Sequence, residues 1–388
     1  MSVTSPAGFR AAGVAAGLKE SGNKDVALVV NDGPQHVAAA VFTSNRVEAA
    51  PVTWSREAVA DGIIRAVILN SGGANAATGT AGLTDATATA QATADLLECA
   101  ATDVLVCSTG LIGVPLPMPR LLDGLAAAHA ELSPAGGEAA AEAIMTTDTV
   151  SKTVHVQREG WSIGGIAKGA GMLAPGLATM LVVLTTDAAI SAPQADAALR
   201  EATALTFDRV DSDGCMSTND TVTLLASGAA DVAPSAAEFT EALTAACAQL
   251  ARQLVADAEG ATHDVAVTVQ GATSEEAALA VARAVTRSNL VKTAIYGNDP
   301  NWGRIISAVG TVPAAVAPYD AGRLDVWIND VQVCRNAGVG EDRSLVDLAA
   351  EREVRIDIDL HAGSAAPVTV WTNDLTHDYI HENSAYST

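Results

Sequence analysis

Short runs rich in Val and Ile alternate with longer Ala-rich stretches over the whole 388-residue chain, and this alternation restricts the possible folds more than any other feature. The short runs end at Gly, Asn or Pro, as strands commonly do. Aromatic residues make up only 3% of the chain and hydrophobic residues 49%, so aliphatic side chains must fill the core. The predicted strands are residues 25–30, 37–42, 65–70, 104–107, 153–157, 161–166, 180–185, 222–226, 265–270, 292–296, 324–328, 354–360 and 367–372.

The Ala-rich stretches predict helices. Pro193 suits the first position of one of them, because the N–H that proline lacks would have no partner there. The predicted helices are residues 84–100, 118–130, 137–145, 193–207, 235–256 and 274–287. Strands grouped with helices, and few clean βαβ units, predict an α+β layered sandwich rather than a doubly wound parallel sheet.

Charge and cysteine content exclude several classes of protein. A net charge of −23 disfavours nucleic acid and anionic lipid as partners. The five cysteines are odd in number and include no CxxC pair, so neither a disulfide framework nor a metal site is expected. The sequence shows no signal-peptide pattern at its start and no apolar run of about 18 residues. These features predict a cytoplasmic protein that is not attached to a membrane.

Residues 168–187, KGAGMLAPGLATMLVVLTTD, form the most informative segment. A glycine-rich loop containing Pro175 runs directly into an apolar strand, and Thr179 lies at the junction. A rigid strand could present the Thr179 hydroxyl as a nucleophile. Threonine is also an ordinary strand residue, and composition and periodicity alone favour that plainer interpretation.

Seven motifs favour the nucleophile over the ordinary strand residue. Together and in order, they resemble the motifs of the ornithine acetyltransferase family, the ArgJ family of bifunctional glutamate N-acetyltransferases. The first in the chain, CSTGLIG, begins at Cys107 and the last ends at Thr388, so the resemblance covers most of the chain. The motifs are CSTGLIG at 107–113, AIMTTDT at 143–149, KGAGMLAPGLATML at 168–181, STNDT at 217–221, DAEG at 257–260, DPNWGR at 299–304 and ENSAYST at 382–388.

The resemblance implies a fold and a processing step. The fold is a layered αββα sandwich of the N-terminal-nucleophile type, as in the DmpA and ArgJ proteins. The chain cuts itself between Ala178 and Thr179, which gives an α chain of residues 1–178 and a β chain of residues 179–388. The two chains stay together and pair into an α2β2 heterotetramer.

The implied chemistry is two-step acetyl transfer. After the cut, Thr179 has a free α-amine whose ordinary pKa of about 7.7–8.0 suits a general base beside its own hydroxyl. Thr179 takes the acetyl group of N2-acetyl-L-ornithine and passes it to L-glutamate. The reaction needs no cofactor, and acetyl-CoA remains open as a second donor.

The same resemblance implies roles for other residues. The Thr109 hydroxyl and the Gly110 backbone N–H form the oxyanion hole, although the same residues could simply form a turn after a strand. Lys168 binds a substrate carboxylate and Glu259 binds the ornithine ammonium. The remaining implied substrate-binding residues are Thr146, Thr179, Asn383 and Thr388.

Two motifs and three departures leave alternatives open. Residues 70–75, NSGGAN, and the DPNWGR motif either line the site or form demanding turns. Cys215, His263 and Gly176 differ from the family pattern, and His263 lies near Glu259 in sequence. Two other functions therefore compete with the transferase: an N-terminal-threonine aminopeptidase or amidase, in which water accepts the acyl group, and an uncut, inert binding protein.

Overall fold

A computed structural model describes residues 1–174 and 180–385. The chain forms two compact units. Among the described residues, the first contains Met1–Asp208 and Cys215–Asp257, and the second contains Arg209–Gly214 and residues 258–385. Residues on both sides of the predicted cleavage site lie in the first unit, so the expected α and β chains are not the same as the structural units. The division into chains 1–178 and 179–388 stays a prediction.

The first unit alternates strands and helices. Their bounds are β1 Phe9–Val14, β2 Val26–Asn31, β3 Val37–Phe42, α1 Ala50–Ala58, β4 Ala66–Ser71, α2 Gly79–Leu97, β5 Val104–Thr109, α3 Met118–Ala130, α4 Gly137–Ala143, β6 Lys152–Arg158, β7 Trp161–Lys168, β8 Leu181–Thr186, α5 Ala192–Leu205, β9 Thr221–Ala226 and α6 Ala236–Ala256.

These strands form two mixed sheets. The first has the order β1-β2-β4-β5, and the second has the order β3-β9-β8-β7-β6. The β4–β5 and β8–β9 pairs are parallel, and the other neighbouring pairs are antiparallel. The parallel register joins Leu69 to Cys107 and Ser71 to Thr109.

The two sheets of the first unit pack face to face. Alternate side chains of the first sheet, such as Val67 and Leu69, share one core with Leu181 and Val183 of the second sheet. The side chains between them, such as Ile68, point to the opposite face and pack under α2 and α3. Helices α5 and α6 cover the outer face of the second sheet. This order of layers confirms the predicted α+β sandwich of αββα type.

The second unit is one sheet with helices against it. Its elements are β10 Asp264–Gln270, α7 Glu275–Thr286, α8 Asn289–Tyr296, α9 Trp302–Val309, β11 Asp325–Ile328, β12 Val331–Arg335, β13 Gly338–Val339, β14 Glu353–Asp359, β15 Val368–Asn373 and α10 His377–Ala385. The strand order is β13-β12-β11-β14-β10-β15. Apolar side chains of α7, α8 and α9 share one core with the strands.

One predicted strand is wrong. Residues 292–296 belong to α8, because the Ser288 side chain caps the helix by accepting from the Val291 N–H at 3.4 Å. Val291, Ala294 and Ile295 then follow helical spacing and are buried on one face. The run is short and contains two β-branched residues, Thr293 and Ile295, and those properties favour a strand. The sequence pattern also predicts none of β1, α1, α9, β12, β13 and α10.

Candidate active site

Three predicted site residues meet in the first unit. Lys168 is the last residue of β7 and only 2% exposed. Its Nζ donates to the Thr146 hydroxyl at 2.7 Å and to the Thr109 hydroxyl at 3.4 Å. A buried ammonium beside two hydroxyls is an arrangement that can bind a carboxylate or a developing oxyanion.

Tight backbone packing places Thr109 at the end of β5. The Gly73 N–H donates to the Thr109 carbonyl at 3.0 Å, and the next residue, Gly110, has a φ of +129°. A Cβ on Gly110 would lie 2.6 Å from the Gly73 nitrogen, so only glycine fits this approach. The structure therefore shows a turn at Gly110, and the turn leaves the Thr109 side chain beside Lys168.

Asn219 connects three of the sequence motifs. Its Nδ2 donates to the Ser108 carbonyl at 2.9 Å and to the Ala74 carbonyl at 2.6 Å. The Ser108 hydroxyl in turn donates to Asn70 Oδ1 at 2.6 Å. The NSGGAN loop and the STNDT motif thus hold the strand end that carries Thr109. The DPNWGR motif instead starts α9, where Asn301 is the N-cap and accepts from the Arg304 N–H.

The sequence motifs assign no role to Asp148, but its carboxylate lies next to Lys168 and Thr146. One oxygen accepts from the Gly169 N–H and from Lys152 Nζ, each at 2.6 Å. The other accepts from the Thr146 N–H at 3.0 Å and lies 3.9 Å from Lys168 Nζ. Burial alone would raise the pKa of Asp148, but Lys168, Lys152 and the hydrogen bonds outweigh it and lower the pKa to about 2.

A second carboxylate completes a buried ion cluster. Asp257 directly follows α6, and its side chain accepts from Lys152 Nζ at 2.6 Å. It also accepts from the Thr149 N–H at 3.0 Å and from the Thr149 hydroxyl. The side chains of Lys152 and Asp148 are fully buried. Sequence spacing cannot reveal this cluster, because Lys152 and Asp257 are 105 positions apart.

Asp220 is a third buried acid to which the sequence motifs assign no role. Its Oδ1 accepts from the Met180 N–H at 3.0 Å, and in the part of the chain that the structure describes its Oδ2 has no hydrogen-bond partner. Burial raises the pKa of this carboxyl well above its usual range. The amide that donates to it is the one that joins Met180 to Thr179.

Two other predicted residues meet in the second unit. Asn383 of α10 donates from Nδ2 to Glu259 Oε2 at 2.9 Å and to the Tyr379 carbonyl at 3.0 Å. Glu259 is 8% exposed and lines a cavity of about 350 Å³, together with Lys292 and Asp374. Burial lowers the pKa of Lys292 to about 8, against the opposing effect of nearby aspartates.

His263, one of the departures from the family pattern, is held by Asp374. The His263 N–H donates to Asp374 Oδ1 at 3.0 Å, and ring Nδ1 lies 2.8 Å from Asp374 Oδ2. Ring Nε2 lies 3.1 Å from the Leu348 carbonyl. The histidine thus fixes a loop of the second unit. Cys215, another departure, is exposed, and Gly176 lies outside the described residues.

The structure therefore brings the predicted residues into two groups, one in each unit. Thr109, Gly110, Thr146 and Lys168 form the group in the first unit, and Glu259 and Asn383 form the group in the second. Ala178, Thr179 and Thr388 lie outside the described residues.

The described residues offer neither a metal cluster nor a membrane-spanning helix. Across residues 1–174 and 180–385, no three His, Cys, Asp or Glu side chains are arranged to hold a metal ion. None of the helices in this part of the chain is both long and apolar enough to cross a bilayer. All five cysteines are free thiols, and burial raises the pKa of the Cys107 thiol to about 12.

Comparison with known proteins decides the family. The ArgJ family profile matches residues 10–388. The chain belongs to the ArgJ family. A relative from Streptomyces coelicolor, named arginine biosynthesis bifunctional protein ArgJ, is 60% identical over 387 residues, which cover 100% of both chains. A relative of the same name from Thermobifida fusca is 60% identical over 388 residues, again with 100% of both chains covered.

Solved structures also resemble parts of the chain. Ornithine acetyltransferase complexed with ornithine, from Mycobacterium tuberculosis, is 55% identical with a TM-score of 0.45, and the match covers 46% of this chain and 96% of that one. The family assignment confirms the resemblance read from the seven motifs. It also confirms the prediction of an enzyme, and places that enzyme in arginine biosynthesis.

Proposed function

We propose that this enzyme transfers the acetyl group of N2-acetyl-L-ornithine to L-glutamate, giving ornithine and N-acetylglutamate. The observation that carries the proposal is the buried Lys168 ammonium, which is bonded to the Thr146 and Thr109 hydroxyls. Such a group suits an amino-acid substrate with a free carboxylate better than it suits a neutral amide.

The first step of the proposed mechanism makes the catalyst. The Thr179 hydroxyl attacks the Ala178 carbonyl carbon, the Ala178–Thr179 C–N bond breaks, and the nitrogen takes a proton to become a free amine. Water then hydrolyses the ester that joins Ala178 to the Thr179 oxygen. The products are chains 1–178 and 179–388, and the new amine of Thr179 is the general base for the second reaction.

Acetyl transfer then follows a ping-pong course. With its proton taken by the Thr179 amine, the hydroxyl attacks the acetyl carbonyl of N2-acetylornithine, and ornithine leaves with that proton. The amine of glutamate attacks the resulting acetyl-threonine ester and regenerates the hydroxyl. The Thr109 hydroxyl and the Gly110 N–H stabilise each tetrahedral oxyanion, and one such donor contributes about 2.7–4 kcal/mol.

The proposed roles in substrate binding are those that the family resemblance implies for each residue. Lys168 and Thr146 bind the substrate carboxylate, and Glu259 binds the ornithine ammonium. Asn383 supports the role of Glu259, because its Nδ2 donates to Glu259 Oε2 at 2.9 Å and so orients the carboxylate. Thr179 and Thr388 complete the proposed set.

The proposal includes a second activity, acetylation from acetyl-CoA, and an amidase is the alternative function. The relatives are named bifunctional, which supports acetylation of glutamate from acetyl-CoA as a further reaction of the same Thr179. An N-terminal-threonine amidase would use the same nucleophile with water as acceptor. Assembly as an α2β2 heterotetramer, action without a cofactor and a cytoplasmic location complete the proposal.

Intact mass spectrometry under denaturing conditions, combined with an acetyl-transfer assay, tests the proposal. We expect two species whose masses divide the chain between Ala178 and Thr179, and formation of N-acetylglutamate that depends on added glutamate. Thr179→Ala is expected to stay uncut and inactive. Release of acetate without N-acetylglutamate would favour the amidase, and a stable, inactive full-length chain would favour the binding protein.

A further inference from the structure

We propose that Asp148 is a positioning residue of the catalytic site, which fixes the two backbone segments that carry Thr146 and Lys168. This inference rests on the proposed function for the roles of those two side chains. Asp148 itself makes no proposed contact with substrate. Its effect is exerted through the groups that it holds.

Each oxygen of the Asp148 carboxylate accepts a hydrogen bond from a different backbone segment. Oδ2 accepts from the Thr146 N–H at 3.0 Å and so fixes the backbone two residues earlier in the chain. Oδ1 accepts at 2.6 Å from the N–H of Gly169, the residue directly after Lys168. One side chain thus sets the spacing between the segments that carry Thr146 and Lys168, which are 22 residues apart in sequence. The hydrogen bond from Lys168 Nζ to the Thr146 hydroxyl closes the same loop of contacts at 2.7 Å.

Charge balance explains why this position requires a carboxylate. Lys152 Nζ contacts Asp148 and Asp257, and Lys168 Nζ lies 3.9 Å from Asp148. These two ammonium groups and two carboxylates cancel, and every one of the four side chains is at most 7% exposed. Removing one member of a buried ion cluster leaves an unpaired charge, which is costly. Asp148 therefore compensates the charge of Lys168 as well as holding its backbone.

Asp257 offers a matched control. It is the other carboxylate on Lys152, and a change to Asn removes the same unit of charge from the same cluster. Its remaining contacts are with Thr149, so the bonds to the Thr146 and Gly169 N–H groups stay in place. A purely structural role predicts similar consequences for Asp148→Asn and Asp257→Asn, whereas positioning predicts that only the first affects the site.

Both variants are to be purified as full chains and compared with the wild type in two assays. Because a misplacement of about 1 Å can cost about 100-fold in rate, we expect Asp148→Asn to lower kcat/KM for N-acetylornithine by about 100-fold. At least a tenfold rise in KM is expected to contribute. Asp257→Asn should leave KM within about twofold. Loss of folded protein alone lowers apparent kcat without changing KM, so an unchanged KM in Asp148→Asn overturns the inference.

The rate of self-cleavage gives an independent readout, because Gly169 begins the segment that leads to Thr179. Asp148→Asn is expected to be cut more slowly than Asp257→Asn. If the wild type is cut but transfers no acetyl group, the proposed function fails, while this comparison of cleavage rates still tests Asp148. Equal cleavage rates in the two variants would count against positioning.

A double variant covers the case in which Asp148→Asn does not fold. Asp148→Asn with Lys152→Met restores the balance, since one ammonium on Lys168 and one carboxylate on Asp257 remain. Positioning predicts that KM stays raised and cleavage stays slow in this folded variant. Recovery of wild-type values would show that charge balance alone matters and would refute the proposal.

Discussion

Replacement of Gly110 by alanine tests the proposed oxyanion hole with a single methyl group. The added Cβ would lie 2.6 Å from the Gly73 nitrogen and 2.8 Å from the Gly72 carbonyl carbon. Both neighbours are backbone atoms, and the Gly73 N–H is already bonded to the Thr109 carbonyl. The strand end cannot move aside without disturbing Thr109, so the Gly110 segment itself must shift.

The expected effect has two parts. Gly110 has a φ of +129°, and holding alanine in such a conformation costs about 1–3 kcal/mol. Displacing the Gly110 N–H from the position of the oxyanion removes one donor, which corresponds to a roughly 100- to 1,000-fold loss of rate. We therefore expect a modest loss of stability and a large loss of acetyl transfer.

Gly113→Ala is the matched control for this experiment. Gly113 lies three positions later with a φ of +82°, but a Cβ there would meet no atom within 4 Å. Its cost is the backbone strain alone. Urea unfolding monitored by tryptophan fluorescence, together with single-turnover acetyl transfer, separates the two parts. If Gly110→Ala transfers acetyl groups as fast as Gly113→Ala, the Gly110 N–H has no part in the oxyanion hole.

Three further predictions follow from buried carboxylates. Folding lowers the pKa of Asp148 from 3.8 to about 2, so its ionisation stabilises the fold by about 2 kcal/mol above pH 4, and this stabilisation is lost as the pH falls to 2. The free energy of unfolding, measured with urea across this pH range, should therefore depend less on pH in Asp148→Asn than in the wild type. Glu57→Gln, which changes an exposed carboxylate, serves as the control. Because the pKa of Asp220 is raised in the folded protein, its contribution to stability falls as the pH rises above the pKa that it has in the unfolded chain. Asp220→Asn should therefore be at least as stable as the wild type at pH 7, and Asp220→Ala should be about 1–3 kcal/mol less stable because it leaves the Met180 N–H unpaired; the opposite order of midpoints would contradict this. Glu259→Gln should raise KM for N-acetylornithine about 10- to 100-fold with little change in KM for glutamate, because only the ornithine ammonium loses a charged partner; equal changes in steady-state KM for both substrates would exclude that role.

Local pattern predicts much of the fold because many elements carry their own signals. The strand at 37–42 and the helix at 118–130 have the bounds predicted from sequence. The error at 292–296 shows the limit of this approach. A run of five residues that includes Thr293, Ile295 and Tyr296 satisfies the strand criteria, and the Ser288 cap that makes it helical lies outside the run. Which sheet each strand joins is likewise set by contacts between distant segments.

Some residues of the candidate site can likewise be predicted from the sequence, and others cannot. The family motifs predict Lys168, Thr146 and Thr109 as site residues, and the fold places them within hydrogen-bonding distance of one another. Asp148 lies in one of those motifs, yet the positioning role proposed for it depends on Gly169 and Lys152, which no motif connects to it. Partners of a buried charge are selected by three-dimensional packing, so a linear pattern cannot name them.

These long-range contacts also constrain when the proposed self-cleavage can occur. Lys168 meets Thr109 across 59 positions, and Lys152 meets Asp257 across 105. Pairing segments so far apart has a large entropic cost until the sheets between them have formed. The buried ammonium groups are also unfavourable until both carboxylates are in place. If the proposed cleavage uses Thr109, Gly110 and Lys168, it must follow folding of the first unit, and the folded chain would then be the substrate of its own processing.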